Sequence, residues 1–321
     1  MRLPLPLKTL ARPFPTFSRS GQTRSVHLAP PYLLDEYIPR HQLISSVNAA
    51  KKRSKAYAHL RNCNLCPRLE GEFDCAAFRG RAMHSGVKRE RDISHQRNGF
   101  DLTPEELAEW MLKLQNVGQV HNINFITPEH VVPQVALAIL TAADMGLKIP
   151  IIYNTSSFDS LESIELLDGL IDIYLPDFKV WKPSSSKRLL KADNYTATAM
   201  ESIKAMHAQV GDLSFTSDGI AKRGVLLRHL VMPGMEDEGV EIVRWLAENV
   251  SKDLYIHIME QYHPDAHVGK KRRGKSGSQE IRYAEINRAI NDNELEAVKS
   301  AARDAGLWRL CEPAEHASFY V

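Results

Sequence analysis

The sequence predicts an α/β fold in which short buried strands alternate with helices and pair in parallel. Five apolar runs of strand length recur between Asn122 and Gln261, with helical stretches between them: INFI, PIIY, IDIYLP, VLLRHLVM and LYIHIM. Polar or charged residues follow each run closely. The carboxyl ends of parallel strands meet at one edge, where ligands bind in such folds. The polar and charged residues that follow the apolar runs therefore predict a binding or catalytic face.

The residues predicted to line this edge lie near the end of a strand. They are Asn154, Asp177, Lys179, Arg228, His257 and Gln261. A barrel with only a structural role would not need so many polar groups at one rim. Asn122 and Asn124 open their strand instead, and we expect structural roles for them.

A helix-start signal precedes the first of these strands. Thr103, Pro104 and Glu106 form a capping box with proline at the first helical position. The apolar residues that follow at helical spacing are predicted to pack in the core, and Gly118 is expected to end the helix. These apolar residues are Leu107, Trp110, Met111, Leu114 and Val117.

Further helices are predicted in the rest of the chain. One should begin at Thr127-Pro128 and end at Gly146. The others are expected at Leu161–Leu167, 195–210, 237–250 and 294–305. Glycines at 146, 211 and 306 mark three of the helix ends.

Composition places the chain among soluble globular proteins with a sizeable core, since 43% of its 321 residues are hydrophobic and 25% are charged. A net charge of +2 gives no reason to expect a nucleic-acid or membrane partner. No apolar run is long enough to span a bilayer. The basic stretch 270–278 contains no aromatic residue and is predicted to be a flexible solvated loop.

The first 34 residues contain five basic residues and no acidic one. This composition favours a mitochondrial transit peptide, although the prolines at 4, 6, 13 and 15 disfavour a regular amphipathic helix. A disordered cytosolic tail is the alternative. We predict an N-terminal extension at 1–50, a cysteine-bearing segment at 51–100 and the strand-helix domain at 101–311.

Three of the four cysteines lie close together, at Cys63, Cys66 and Cys75. This clustering indicates metal ligation or a redox pair rather than a disulfide scaffold. Together with His84 they could form a closed tetrahedral zinc site, or the three thiolates could hold an iron-sulfur cluster with one open iron, although a segment that binds no metal is a further alternative.

Six blocks of the chain, in order, resemble the radical S-adenosylmethionine proteins related to pyruvate formate-lyase activating enzyme. The resemblance covers roughly residues 93–310 and rests on LTPEELAEWMLKLQ, HNINFITPEHVVP, PIIYNTSSFDSLE, DIYLPDFKVW, GIAKRGVLLRHLVMPG and HIMEQYHP. It implies a partial (β/α)6 barrel, S-adenosylmethionine as cofactor and a 4Fe-4S cluster that reduces it to a 5′-deoxyadenosyl radical. It also implies an electron donor and a substrate that the resemblance does not identify. A glycyl-radical protein is one class of substrate suggested by analogy with the family.

The chain departs from this family at its most important motif. Members carry C-x3-C-x2-C after the first strand, and no such spacing occurs here. Cys63-Asn64-Leu65-Cys66-Pro67-Arg68 matches an N-terminal family segment, but residues 69–92 match nothing in the family. Our hypothesis is that the first strand and its cysteine loop are missing from this chain.

The resemblance also implies roles for individual residues, each with a simpler alternative. Thr127, Pro128 and Glu129 occupy the place that recognises the methionine amino group, although Glu129 could simply favour a helix N-terminus. Asp177 and Lys179 would contact the ribose and methionine parts of the ligand, or form a rim salt bridge.

Three further residues are assigned by the same resemblance. Arg228 would meet the ligand or a rim acid such as Asp177, because a buried arginine is costly without an anionic partner. His257 and Gln261, on one face of the last strand, would line the substrate mouth, although a satisfied core histidine is the alternative. His229 points the opposite way from Arg228 and is expected to pack against a helix.

The sequence thus predicts a radical S-adenosylmethionine protein whose reductive chemistry is impaired in this chain. The alternatives are a non-catalytic isoform that still binds the adenosyl ligand, and a zinc-stabilised binding module built on residues 63–84. The cofactor-binding candidates are Thr127, Glu129, Asn154, Asp177, Lys179, Arg228, His257 and Gln261, and the metal-binding candidates are Cys63, Cys66 and Cys75.

Overall fold

The computed structural model describes residues 30–61, 65, 67, 83–84, 100–265, 267–273 and 279–311. Its helices are α1 Arg40–Leu43, α2 Ser46–Arg61, α3 Pro104–Asn116, α4 Val132–Asp144, α5 Leu161–Leu167, α6 Pro183–Ser185, α7 Tyr195–Val210, α8 Glu236–Asn249 and α9 Asp292–Asp304. A π-helical turn, Ser186–Leu190, follows α6, and a 3-10 turn, Ala284–Ile286, precedes α9.

Eleven strands occur within the described ranges. They are β1 Leu33–Leu34, β2 Met83–His84, β3 Asp101–Leu102, β4 Ile123–Ile126, β5 Ile151–Thr155, β6 Ile173–Pro176, β7 Ser214–Thr216, β8 Ala221–Leu230, β9 Tyr255–Met259, β10 Lys271–Arg273 and β11 Gln279–Ile281.

The predicted α/β fold with a parallel sheet is confirmed. The five predicted strands pair in the order β4-β5-β6-β8-β9, and every pair in that series is parallel. β7 adds an antiparallel hairpin to the first half of β8, and β1 pairs with β7. The architecture is a mostly parallel sheet with helices between successive strands, as in a partial α/β barrel.

The two faces of the parallel sheet differ in their exposure. Residues such as Phe125, Tyr153 and Leu227 point to one face and are buried in the core formed with the helices. The opposite face is only half-buried, and we call it the open face. The strand register places on it Ile126, Ile152, Leu175, Leu226, Leu230 and Met259, which are intermediate or exposed.

β4 lies at one end of the sheet order, paired only with β5 within the described part of the chain. Ile123 and Thr127 donate their amides to the carbonyls of Pro150 and Asn154. Alternate residues of a parallel strand bond to opposite neighbours, so the amides of Asn124 and Ile126 face the other edge. On the open face, Ile126 is 56% exposed. Among the described residues, no strand pairs with this outer edge of β4.

The predicted capping box of α3 is present, with Thr103 and Glu106 each accepting the other's backbone amide. The prediction that its whole apolar stripe packs in the core is wrong. Met111 is buried, but Trp110, Leu114 and Val117 are exposed. The helix buries the side that carries Ala108 and Met111, which is narrower than the apolar stripe that the spacing predicts.

One predicted helix start requires correction. α4 begins at Val132 rather than at Thr127, because Thr127 has a left-handed φ of 55° and Pro128 opens a turn closed by the Val131 amide. The predicted end of α3 at Gly118 is confirmed, since the helix ends at Asn116 with Val117 as its C-cap, although the left-handed residue there is Gln119. Leu161–Leu167 was predicted with the bounds that α5 has.

Residues 30–61, most of which fall in the predicted N-terminal extension, pack on the domain. α2 contacts α4 and α5, and its Ala56 is fully buried. Before it, Asp172 at the amino end of β6 accepts the Tyr37 hydroxyl at 2.6 Å and the Arg40 amide at 2.7 Å. The same carboxylate accepts the Ile151 amide at 2.7 Å. One buried aspartate therefore fastens the N-terminal segment to two strands.

The basic stretch is more ordered at its ends than predicted. Lys271–Arg273 pairs antiparallel with Gln279–Ile281, so the flanks form a short hairpin around residues 274–278, which lie outside the described residues. None of the helices in the described part of the chain has the length and apolarity needed to cross a membrane.

We predict that Asp172→Asn lowers the free energy of unfolding by about 2–4 kcal/mol, because an amide nitrogen would face backbone donors in a fully buried site. Asp168→Asn is the matched control: its carboxylate is half-exposed and its ion pair in the described structure is the surface contact with Arg40, so a loss below about 1 kcal/mol is expected. Urea unfolding of the two variants measures both values. Equal losses in the two variants would contradict the conclusion that Asp172 fastens the N-terminal segment to the sheet.

We predict that Leu114→Ala costs less than about 1 kcal/mol, because Leu114 is exposed on α3. Met111→Ala, a truncation to alanine one turn away at a buried position, should cost about 2–5 kcal/mol. Thermal or urea unfolding distinguishes them. A large loss at position 114 would mean that this side of α3 is covered in solution.

Candidate functional site

The carboxyl ends of β4, β5, β6 and β8 meet at one edge of the sheet, as predicted. Two residues there have left-handed backbone conformations: Thr127 after β4, with φ of 55°, and Ser157 after β5, with φ of 65°. Non-glycine residues in this region are strained, and such strain concentrates at binding and catalytic sites. The edge is therefore the place in the described chain where a site is best sought.

Asp177 is the centre of a charged network at this edge. Its Oδ1 accepts the Arg228 Nε–H at 2.7 Å, and its Oδ2 accepts the Lys179 ammonium at 2.6 Å. Arg228 Nη2 donates to Asn154 Oδ1 at 2.9 Å. Four predicted site residues thus form one connected group across three neighbouring strands.

The network carries one surplus positive charge. Asp177 supplies one negative charge, whereas Arg228 and Lys179 supply two positive charges. The aspartate side chain is 9% exposed, and those of arginine and lysine are 21% and 30% exposed, so the surplus is partly desolvated. A partly buried excess of positive charge is best compensated by an anion.

The strand register explains why these residues meet. Asp177 and Arg228 form an isolated parallel bridge just beyond the end of β6, and the Phe178 amide donates to the Arg228 carbonyl. Asn154 lies on the open face of β5, next to the position of Leu175 on β6. The predicted contact between Arg228 and a rim acid is confirmed, and the alternative of a rim salt bridge for Asp177 and Lys179 is the geometry observed.

His257 lies beside Arg228 in the register of β8 and β9, on the open face. Burial, followed by the nearby Arg228 charge, lowers the pKa of His257 below its ordinary value, so the imidazole is neutral near pH 7. Gln261 was expected on the same strand face, but β9 ends at Met259 and Gln261 is exposed beyond it. Strand alternation therefore does not fix the direction of its side chain.

His229, in contrast, faces the helical layer as predicted. It is buried, and its Nδ1 lies 2.7 Å from the Phe178 carbonyl. Its Nε2 approaches Gly239 of α8 so closely that a Cβ there would lie 2.8 Å away. Burial lowers the pKa of His229, so the neutral ring donates its Nδ1–H to the carbonyl.

Sequence reasoning missed Tyr195, which joins two strand ends. Its hydroxyl lies 3.0 Å from the Ser156 carbonyl and 2.9 Å from the Asp177 carbonyl, which share its single proton, and it accepts the Lys179 amide at 3.0 Å. Tyr195 opens α7, far along the chain from either loop. Nothing in the local pattern around it distinguishes it from a core tyrosine.

Glu129 meets the loop after β5. Its Oε1 accepts the Ser156 amide at 2.5 Å and lies 3.0 Å from the Thr155 hydroxyl, whereas its buried Oε2 has no hydrogen-bond partner among the described residues. Asp159, also missed from the sequence, lies on the other side of Thr155. The polar run TSSFD directly after β5 was the signal that could have identified it.

The metal candidates Cys63, Cys66 and Cys75 lie outside the described residues, as does the side chain of His84. Within the described ranges, no group of three or more histidine, cysteine or acidic side chains could hold a metal ion. Cys311 is described, and it is half-buried next to Tyr255 at the amino end of β9.

Comparisons with known proteins give limited matches. No family model matches the chain. An uncharacterized protein of Methanocaldococcus jannaschii is 27% identical over 205 residues, which cover 64% of this chain and 52% of that protein. The chain thus spans about half the length of this relative.

A solved structure, a domain of pyruvate-formate lyase-activating enzyme from Bacteroides vulgatus, superposes with a TM-score of 0.40 at 11% identity. The superposition covers 59% of this chain and 96% of that chain. At this TM-score the likeness carries no argument about function.

We predict that Asp177→Ala destabilises the ligand-free chain by about 2–4 kcal/mol, because it leaves two neighbouring cations without their shared partner. Lys179→Met should cost about 1 kcal/mol or less, since its ammonium is partly exposed and Asp177 retains Arg228. Urea unfolding measures both. If the lysine variant loses as much as the aspartate variant, Asp177 is not the centre of the network.

Proposed function

We propose that the chain is a radical S-adenosylmethionine-type protein that binds S-adenosylmethionine at the carboxyl edge of its sheet. In the family that it resembles, the ligand is cleaved reductively to a 5′-deoxyadenosyl radical that acts on a further substrate. In this chain that reductive step is impaired. The observation that carries the proposal is the surplus positive charge of the network of Asn154, Asp177, Lys179 and Arg228.

The donor set of this edge fits the polar parts of the ligand. The methionine part of S-adenosylmethionine carries a carboxylate. Bound next to the partly buried Arg228 and Lys179, this carboxylate would compensate the surplus positive charge. The ammonium group of the ligand requires an acceptor, and the buried Oε2 of Glu129 has no other partner among the described residues. Thr127, beside Glu129, has the strained backbone that binding sites often contain.

The apolar part of the open face suits the rest of the ligand and a substrate. Ile126, Ile152 and Leu175 lie around the network without charged neighbours on their strands. The neutral imidazole of His257 adds one hydrogen-bonding group at the same level as Arg228. We place the substrate mouth there, with Gln261 at its outer edge.

The iron-sulfur cluster does not fit the described residues. A cluster supplies one electron when it is bound, and it needs several thiolates close together. Cys311 is a single thiol near the amino end of β9, and the full sequence lacks the C-x3-C-x2-C spacing of the family. No step through a cluster is therefore derived for this chain.

We propose an unknown substrate, with a protein as one class, an electron donor for any active form, and a mitochondrial location. Zinc bound by Cys63, Cys66 and Cys75 is the alternative for the segment before the sheet. No nucleic-acid or membrane partner is proposed.

One experiment separates these possibilities. The full chain is purified without oxygen and incubated with iron, sulfide and reductant, and metals, bound S-adenosylmethionine and released 5′-deoxyadenosine are then measured. We expect saturable ligand binding with neither cluster nor 5′-deoxyadenosine. About four irons per chain with 5′-deoxyadenosine release would show an active enzyme, and zinc without ligand binding would favour the binding module.

We predict that Arg228→Met weakens S-adenosylmethionine binding by about tenfold to a hundredfold, because it removes one partly desolvated charge-assisted contact. Lys187→Met is the matched control, since it removes an exposed cation that pairs only with Asp193. Equilibrium dialysis with each folded variant gives the affinities. Equal affinities of the two variants would refute the assignment of the site.

A further inference from the structure

Two carboxyl groups share one hydroxyl at the end of β5. The Thr155 hydroxyl lies within hydrogen-bond distance of both Glu129 Oε1 and Asp159 Oδ2, and the Asp159 contact is the shorter of the two. The same oxygen accepts the Ser157 amide at 3.0 Å. Asp159 Oδ1 accepts the Tyr153 hydroxyl at 2.7 Å. The Ser157 amide and the Tyr153 hydroxyl supply the protons of two of these contacts, but the two contacts between Thr155 and the carboxyl groups have only the Thr155 proton between them.

The single proton of the Thr155 hydroxyl cannot serve both carboxyl groups. A threonine hydroxyl has one proton, so it can donate to only one of two carboxyl oxygens. The other contact is repulsive unless that carboxyl group carries a proton and donates it to Oγ1. The geometry therefore requires a carboxylic acid and a carboxylate rather than two carboxylates.

Burial identifies Asp159 as the protonated member. Asp159 is almost fully buried, whereas Glu129 is half-buried and receives the Ser156 amide. Burial, and then the neighbouring Glu129 charge, raise the pKa of Asp159 from 3.8 to about 7. The other titratable groups that face this position are Tyr153, Tyr174 and Tyr195, whose pKa values burial raises well above 10.

The pair holds the loop that joins β5 to α5. Glu129 binds the Ser156 amide, Tyr195 binds the Ser156 carbonyl and Ser202 binds the Ser157 carbonyl. Ser157 is strained, so its conformation depends on these contacts. Asn154, which accepts from Arg228, directly precedes the loop.

We propose that Glu129 and Asp159 form a one-proton carboxyl pair that acts as a positioning device for the loop Thr155–Asp159. With one proton between them, the pair closes the hydrogen-bond chain Tyr153–Asp159–Thr155–Glu129–Ser156. When that proton is lost, two buried like charges face each other across Thr155 and the loop is destabilised. The assignment does not depend on the ligand proposed above.

The direction of the pH dependence follows from the raised pKa. Folded Asp159 holds its proton up to about pH 7, whereas the unfolded residue loses it near its ordinary value of 3.8. The stabilisation is therefore full at low pH and is lost as pH rises through about 7. Between the unfolded pKa of 3.8 and the folded pKa of about 7 this group lowers the folding equilibrium constant by about tenfold per pH unit, and above about pH 7 its contribution no longer changes.

The test measures the free energy of unfolding of the ligand-free full chain between about pH 5 and about pH 8.5. Asp159→Asn carries a neutral amide at every pH and should remove the tenfold-per-unit component. Glu129→Gln removes the neighbouring charge, so the wild-type loss should end at a lower pH. Asp168→Asn, an exposed carboxylate, is the matched control and should keep the wild-type profile.

A wild-type profile that Asp159→Asn leaves unchanged would overturn the proposal. If Asp159→Asn does not fold, the ¹³C resonances of the aspartate carboxyl groups in the wild-type chain decide. One resonance should titrate near neutral pH and move to lower pH in Glu129→Gln. The proposal fails if the carboxyl resonance assigned to Asp159 is already that of the ionised form at about pH 5.

Discussion

The carboxylate of Asp177 is the interaction on which the predicted site depends. Both of its oxygens are used, one by Arg228 and one by Lys179, and Arg228 extends the connection to Asn154. Arg228 could not remain partly buried without this partner, because an unpaired buried charge costs several kcal/mol. The pairing therefore fixes the open-face side chains of β5, β6 and β8 relative to one another. Within this network the two cations exceed the one carboxylate by one positive charge, and on that surplus we base the proposal that the network binds an anionic group.

The strand β6 carries an aspartate at each end, and the two have different functions. Asp172, at the amino end, is satisfied by backbone amides and the Tyr37 hydroxyl, and so fastens the N-terminal segment to the sheet. Asp177, at the carboxyl end, is satisfied by side-chain cations. Asp172 thus has a structural role, whereas the two cations that pair with Asp177 keep 21% and 30% of their side chains exposed, so that a ligand can reach them.

The sequence was sufficient for features that depend on local pattern. All five strands were recognisable because each is a short apolar run, and Asp177, Arg228 and Asn154 followed from strand ends and alternation. It was insufficient where distant contacts decide the outcome. Tyr195 and the clasp of Tyr37 on Asp172 join residues far apart in the chain. The exposed side of α3 was predicted as core because spacing shows that a stripe exists but not whether anything covers it.

The central claim is that the surplus charge at this edge recognises the carboxylate of S-adenosylmethionine. The most direct measurement compares the affinity of the folded chain for S-adenosylmethionine and for its decarboxylated analogue, which keeps the adenosyl and ammonium groups. Loss of one charge-assisted contact should weaken binding of the analogue by at least about tenfold. Equal affinity for the two ligands would contradict the account, since the network around Asp177 would then contribute nothing to recognition.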